Sequence, residues 1–333
     1  MGQTLSWALT DIRTHDLTDL IEEVLARFLV SSDSPGAGQP DKSDIRRAAF
    51  WFVQAELLKL PAFGIQMLLR DLGRLDALDA APASDPAAMP LAIDAARIPG
   101  HLALALAVRR AGQAVKSQGA AIVGIRNVGA LGVLGCAVRS LAADGAVAVV
   151  SANSMAFVAP WGGTAAAIGT NPMAVAAPRA NAVPLVIDYS TSPMTLAALR
   201  QAQNSGGALP ASGAVDRAGQ RTSDPTKVAA LLPEGRIGSL TGLAMELITG
   251  VGVGGRMPAG AAAQERSALV IAYAPEAMGN HDATELCEQL TRDWQGAGGH
   301  VPSRFDVLPV NRAQLPATIS INSETLAALH ARR

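Results

Sequence analysis

The residues best suited to chemistry lie at Asp188-Tyr189-Ser190-Thr191-Ser192. There one carboxylate and a run of hydroxyls directly follow the apolar run Leu185-Val186-Ile187. A carboxylate at a strand end can hold a polar ligand or exchange a proton with it, although it can equally do no more than cap a turn. The clustered hydroxyls favour the first role. The longer stretch Phe157–Pro193 agrees with it. Pro160, Pro172, Pro178 and Pro184 each remove a backbone donor, so no long helix fits here. Tight turns feeding two short buried strands, Met173–Ala177 and Leu185–Asp188, fit instead. Gly162, Gly163 and Gly169 let the backbone come close to a ligand. The stretch reads as one wall of a binding cleft.

Other candidates carry less. The glycines of Gly129-Ala-Leu-Gly132-Val-Leu-Gly135 stand between an expected strand and an expected helix. A dinucleotide fingerprint needs G-x-G-x-x-G and an acid about 20 residues further on. Here the spacing is G-x-x-G-x-x-G and Asp144 comes too soon, so an ordinary Rossmann turn is rejected in favour of close packing by small residues. The histidines are His15, His101, His281, His300 and His330, and none is set in a catalytic pattern. His101 stands out because it follows Gly100 at the start of a helix. Cys136 and Cys287 read as buried free thiols, and no Cys/His grouping has metal-ligand spacing, so no metal is expected.

The elements that must position these residues follow from periodicity and turn signals. Leu17, Leu20, Ile21, Val24, Leu25, Phe28 and Leu29 recur at helical spacing, and helices follow over about 45–60 and 64–75. Residues 1–78 thus form a helical unit. Ser31–Ser43 is a loop, and Asp79–Pro90 reads as a linker into an α/β domain over 79–300. That domain begins with a helix over 100–119, a strand over 121–126, a helix over 132–143 and a strand over 146–150. After the proline-rich stretch come an exposed loop over 206–225, a helix over 237–250 and a strand over 268–273. A helix over 282–295 ends the domain. Residues 301–333 form a C-terminal segment with a last helix over 323–332.

The chain has 333 residues, 49% hydrophobic and 17% charged, enough for a large globular core. The formal net charge of −1 and the lack of a basic run with interleaved aromatics argue against nucleic acid. No stretch approaches the roughly 20 apolar residues of a membrane span. No signal-peptide pattern opens the chain, which points to the cytoplasm; the Met-Gly start matches a myristoylation pattern only loosely.

The order of several motifs carries more than any one of them. Ala159-Pro-Trp-Gly-Gly163, Gly169-Thr-Asn-Pro172 and Asp188-Tyr-Ser-Thr-Ser192 resemble the malate/L-lactate dehydrogenase type-2 family. Ile125-Arg-Asn127, Asn153-Ser154, the loop Ala214–Pro225 and Gly242–Gly250 extend the resemblance along nearly the whole chain. The family is NAD(P)-dependent and includes sulfolactate and ureidoglycolate dehydrogenases and cyclic imino-acid reductases. The resemblance implies a mixed α/β (α+β) fold: a helical N-terminal unit completed by C-terminal helices, and a larger mixed-sheet, non-Rossmann cofactor domain. It implies NAD or NADP as cofactor, a small-molecule substrate and a homodimer. Ser154, Pro184, Leu185, Val186, Ile187, Asp188, Tyr189 and Ser190 would line the cofactor site. Gly169, Thr170 and Asn171 would shape its walls.

Departures from the family pattern matter as much. Where the family has Ser-His-Gly, this chain has Ala62-Phe63-Gly64, and the arginine three residues later becomes Met67. A second family histidine falls on Ala130, a lysine on Ile237, and the C-terminal signature becomes Pro302-Ser303-Arg304-Phe305. Reduction of a ketone puts negative charge on oxygen and calls for an acid, whose loss typically costs about 10²–10⁴ in rate. A protonated cyclic imine arrives positive, and hydride addition neutralises it. These residues therefore favour reduction of an imine-like substrate. The alternatives are a catalytically silent scaffold or partner subunit, and a 2-hydroxy acid dehydrogenase of the malate or lactate type. The catalytic residues themselves stay unassigned.

Overall fold

The computed structural model describes residues 8–29, 39–78, 89, 91–210, 213–260 and 266–333. The Met-Gly start, most of the Asp79–Pro90 linker and residues 31–38 of the first loop lie outside the described residues.

The helical unit contains α1 (Thr14–Ala26), α2 (Lys42–Leu57) and α3 (Ile65–Asp76). A reciprocal capping box starts α2: Asp41 accepts from the Ser43 and Asp44 amides, and Asp44 accepts from the Asp41 amide. Asp44 is fully buried and is gripped by Arg109, whose Nε and Nη2 lie 3.0 and 2.9 Å from its Oδ2. Arg109 belongs to α4 (Gly100–Gln118), so this ion pair ties the helical unit to the sheet domain.

One six-stranded sheet lies beneath α4 and α5 (Leu134–Ala143). It is built from β2 (Ala92–Asp94), β3 (Ala120–Val128), β4 (Val147–Ala152), β5 (Met173–Ala177), β6 (Leu185–Tyr189) and β9 (Arg266–Tyr273). The spatial order is β2-β3-β9-β4-β5-β6; β2 pairs with β3 in parallel and the other pairings are antiparallel. Apolar residues at alternate positions of β3, β4 and β9 face a core that runs unbroken into α1, α2 and α3. The mixed α/β class expected from the sequence is the class observed.

Several elements were not read from the sequence. β1 (Leu9–Arg13) and β10 (Thr318–Asn322) pair antiparallel, which brings the C-terminal strand and α9 (Ser323–His330) back to the helical unit. The expected loop over 206–225 carries β7 (Ala214–Val215), which pairs with β8 (Ala230–Leu231). Ahead of it lies α6 (Leu196–Ser205), which the Thr195 hydroxyl caps at the Ala198 amide. The expected helix over 237–250 is α7 (Gly235–Met245), which widens into a π turn over Glu246–Val251. α8 (Ala283–Gly296) lies where a helix was expected.

The three glycines that run from the end of β3 into the first turn of α5 each face a different element. A Cβ on Gly129 would lie 1.9 Å from Asp71 of α3, one on Gly132 2.1 Å from the His101 ring of α4, and one on Gly135 2.1 Å from Phe305. Close packing by small residues accounts for the G-x-x-G-x-x-G spacing. Gly132 also has φ +74°. Gly132→Ala therefore meets both a backbone penalty and a clash, and is expected to cost about 3 kcal/mol in a denaturant titration. Gly145 has φ +92° but nothing within 4 Å of a built Cβ, so Gly145→Ala should cost only about 1–2 kcal/mol. Equal costs at the two sites would refute the packing account.

Candidate active site

A cleft of about 660 Å³ opens where the β6 end, the 129–134 segment, α3 and α6 meet. Its size is that of a small-ligand site. Of the residues expected from the sequence, Ser154, Thr170, Asp188, Tyr189 and Ser190 line it. The Thr170 amide donates to the Ser154 Oγ at 3.0 Å, so these two positions are braced against each other.

The other six expected residues are not brought into its wall. Asn171 is fully buried and braces the fold, its amide donating to the Glu246 carboxylate at 2.9 Å and to the Gly242 carbonyl at 3.1 Å. Gly169 packs against Ser154. Val186 faces the core, as strand alternation requires, and Ile187 is exposed. Leu185 stands with Ile187 outside the lining, and Pro184 lines a separate cavity behind α5.

Asp188 is the chemical centre of the cleft. Its Oδ2 accepts from the Gly135 amide at 2.7 Å, at the first turn of α5. Enclosure by protein nevertheless pushes its carboxyl up to about 6, against the lowering effects of that amide and of Arg304. Such a group changes charge near neutrality, as a functional carboxylate must. Tyr189 beside it is pushed upward by burial. Cys136 lies behind Asp188; burial first, then the Asp188 charge, raises its thiol, so it is no nucleophile.

Ala62, Phe63, Met67 and Ala130, where departures from the family pattern were expected from the sequence, all line the cleft, and Leu131 joins them. This apolar wall shares the cleft with a set of charges. Arg70, Arg74, Arg200, Arg266 and Arg304 line the cleft with only Asp71 and Asp188 as described acids, and no histidine or lysine lies among the described lining residues. Arg70 and Arg74 are four apart on α3, a spacing that places both on one helix face and was legible. Arg200 and Arg266 come from α6 and β9, and nothing in the sequence brings them together. Ile237 is exposed and away from the cleft. Among the described residues no group of three or more His, Cys, Asp or Glu could hold a metal ion.

The comparisons with known proteins agree with this architecture. The family model described as malate/L-lactate dehydrogenase matches residues 16–304. The chain belongs to that family. It is 32% identical over 230 residues to the (2R)-3-sulfolactate dehydrogenase (NADP(+)) of Chromohalobacter salexigens, covering 68% of this chain and 63% of that protein. It is 37% identical over 176 residues to the Δ(1)-pyrroline-2-carboxylate/Δ(1)-piperideine-2-carboxylate reductase of Pseudomonas putida, covering 52% of each. The matched part thus spans between half and two thirds of these relatives. The crystal structure of Δ1-piperideine-2-carboxylate reductase from Pseudomonas syringae pv. tomato superposes with TM-score 0.75 at 27% identity, covering 97% of this chain and all of that one.

His101, singled out in the sequence, is a core residue and not part of the cleft. It is 3% exposed, stacks on Phe52 with ring centroids 3.8 Å apart, and hydrogen-bonds to the Ala130 carbonyl. Burial holds its pKa down at about 3. The folded protein keeps it neutral, while the unfolded chain takes up a proton below about 6.5. Stability should therefore fall as pH drops from about 6.5 towards 3, by on the order of 4 kcal/mol from this group. His101→Phe keeps an aromatic stack and removes the titration. Denaturant midpoints across that window should flatten in the variant, and an unchanged slope would assign the acid sensitivity elsewhere.

Proposed function

We propose that this chain is an NAD(P)H-dependent reductase of a small imine-like substrate, with Asp188 as the residue that manages its charge. The observation that carries this reading is a cleft whose near-neutral carboxylate faces an apolar wall lacking histidine. Membership of the malate/L-lactate dehydrogenase family, and the imino-acid reductases among its relatives, support the same class of reaction.

The lining fits a nicotinamide cofactor in chemistry. Ser154, Thr170 and Ser190 offer hydroxyl donors and acceptors at the strand ends. When bound there, the nicotinamide supplies hydride. Asp188 in its ionised form holds a protonated imine by charge, with its geometry fixed by the Gly135 amide. Phe63, Met67 and Leu131 exclude water from the reacting face, which strengthens that attraction.

We infer that the second copy of a homodimer would pack against α7 and the π turn that follows it. Ile237, Leu240, Leu243, Leu247 and Val251 form an apolar stripe at helical spacing and are each at least half exposed. Light scattering after size exclusion should give a dimer, and Leu240→Glu should give a monomer; an unchanged mass would move the interface elsewhere.

Nicotinamide fluorescence on titration with NADH and NADPH tests the reading first: saturation with either supports it, and no binding at millimolar concentration ends it. The pH profile then separates substrates. If ionised Asp188 holds an iminium, kcat should fall as pH drops below about 6, and Asp188→Asn should lose that limb along with about 10²-fold or more in rate. A keto acid would need protonated Asp188, and its rate would instead fall as pH rises through about 6.

A further inference from the structure

The arginines of the cleft outnumber what one carboxylate on the substrate requires. Arg74 is paired within the fold, its Nε donating to the Asp71 Oδ1 at 2.7 Å, while among the described residues its Nη2 is buried without a hydrogen-bond partner. The other Asp71 oxygen accepts from the Gly100 amide at 2.6 Å, so Asp71 has little capacity left. Arg70 spends one nitrogen on the Ala62 carbonyl at 2.7 Å. Arg200 is exposed on α6, and Arg266 enters from the first residue of β9. Among the described residues the Nε of Arg266 is buried without a hydrogen-bond partner. Arg266 is also depressed, by burial first and by the neighbouring Arg200, Arg74 and Arg70 charges against the opposing effect of Asp71. Three guanidiniums thus converge with one carboxylate that is already committed to a fourth.

We propose that Arg70, Arg200 and Arg266 form a subsite for a doubly charged acidic group on the substrate, either a phosphate ester or a pair of carboxylates. Like-charged guanidiniums held together in a partly desolvated cleft are costly unless an anion is bound among them. Guanidinium forks match phosphate and carboxylate oxygens in geometry as well as charge. The apolar wall at Met67 offers nothing to such a group, so recognition falls to Arg70 of α3, Arg200 of α6 and Arg266 of β9. This rests on the reductase reading for the identity of the ligand as substrate, and extends it from one acidic group to two charges.

Isothermal titration of the full chain with inorganic phosphate, malonate and acetate at fixed ionic strength tests the subsite without turnover. Phosphate or malonate should bind saturably, at least tenfold more tightly than acetate; preference for phosphate indicates a phosphate ester, and preference for malonate two carboxylates. Arg200→Gln, an exposed position, should weaken that binding by about tenfold or more, consistent with loss of a charge-assisted contact. Arg266→Gln should do the same where circular dichroism shows it folded. Equal binding of all three anions, or no effect of Arg200→Gln, would overturn the proposal. Loss of phosphate binding under saturating NADPH but not NADH would assign the cluster to the cofactor and overturn it too. NADH and NADPH fluorescence titrations on the same samples keep the two readings apart. Cofactor binding without dianion preference defeats only the subsite, whereas no cofactor binding defeats the reductase reading whatever the anions do.

Discussion

Everything around the cleft depends on how closely three elements approach the backbone that runs from the end of β3 into the first turn of α5. Asp71, His101 and Phe305 each rest on a glycine of that segment at distances no side chain there would allow. The approach fixes α3, α4 and the C-terminal segment relative to the sheet. It also sets the start of α5, and the Gly135 amide at that start holds Asp188. The carboxylate's position is thus a consequence of packing several residues away. Arg139 of α5 extends the same logic by donating to the Leu308 and Pro309 carbonyls, which hold the segment that carries Arg304 and Phe305.

The electrostatics of the site oppose stability. Asp188 is favoured in its protonated form by enclosure, so ionising it in the folded protein costs free energy above about pH 6. Arg266 is depressed for the same physical reason. Structural ion pairs in this fold look different. Arg109 meets Asp44 with several hydrogen bonds, and Arg312 meets both Asp19 and Glu22. Where charge serves the fold it is matched. In the cleft it is left in excess, as expected where a ligand completes the balance.

Legibility from the sequence followed the range of the interactions involved. Long amphipathic helices such as α1 and α4 and the apolar strands β3, β5 and β6 carry their own periodicity, so they could be read locally. β1 and β10 could not, because each is only five residues long and their pairing spans the length of the chain. α6 was missed because its sequence of small and polar residues shows one buried position, Leu199. In the site, Asp188, Ser154 and Thr170 were legible from turn chemistry and from the ordered motifs. His101 stood out without a role that could be assigned, because a histidine at a helix start looks the same whether it faces a cleft or stacks on Phe52. The arginines were invisible as a group, since only the fold brings α3, α6 and β9 together.

That last point bears on how such a site can change its chemistry. The glycine segment and the sheet supply the precision, and they make few direct demands on the ligand. Ala62, Phe63 and Met67 lie on the short turn and first turns of α3, whose N-terminal amide is held by the Glu56 carboxylate at 2.8 Å. Side chains there can change identity without disturbing Gly64 or Asp71, which carry the packing. The side chains of this wall, and Arg70 one turn along the same helix, can vary in chemistry while the backbone stays in place. The fold thus separates the residues that hold the cleft from those that choose what enters it. A change of substrate then requires only the second set to move.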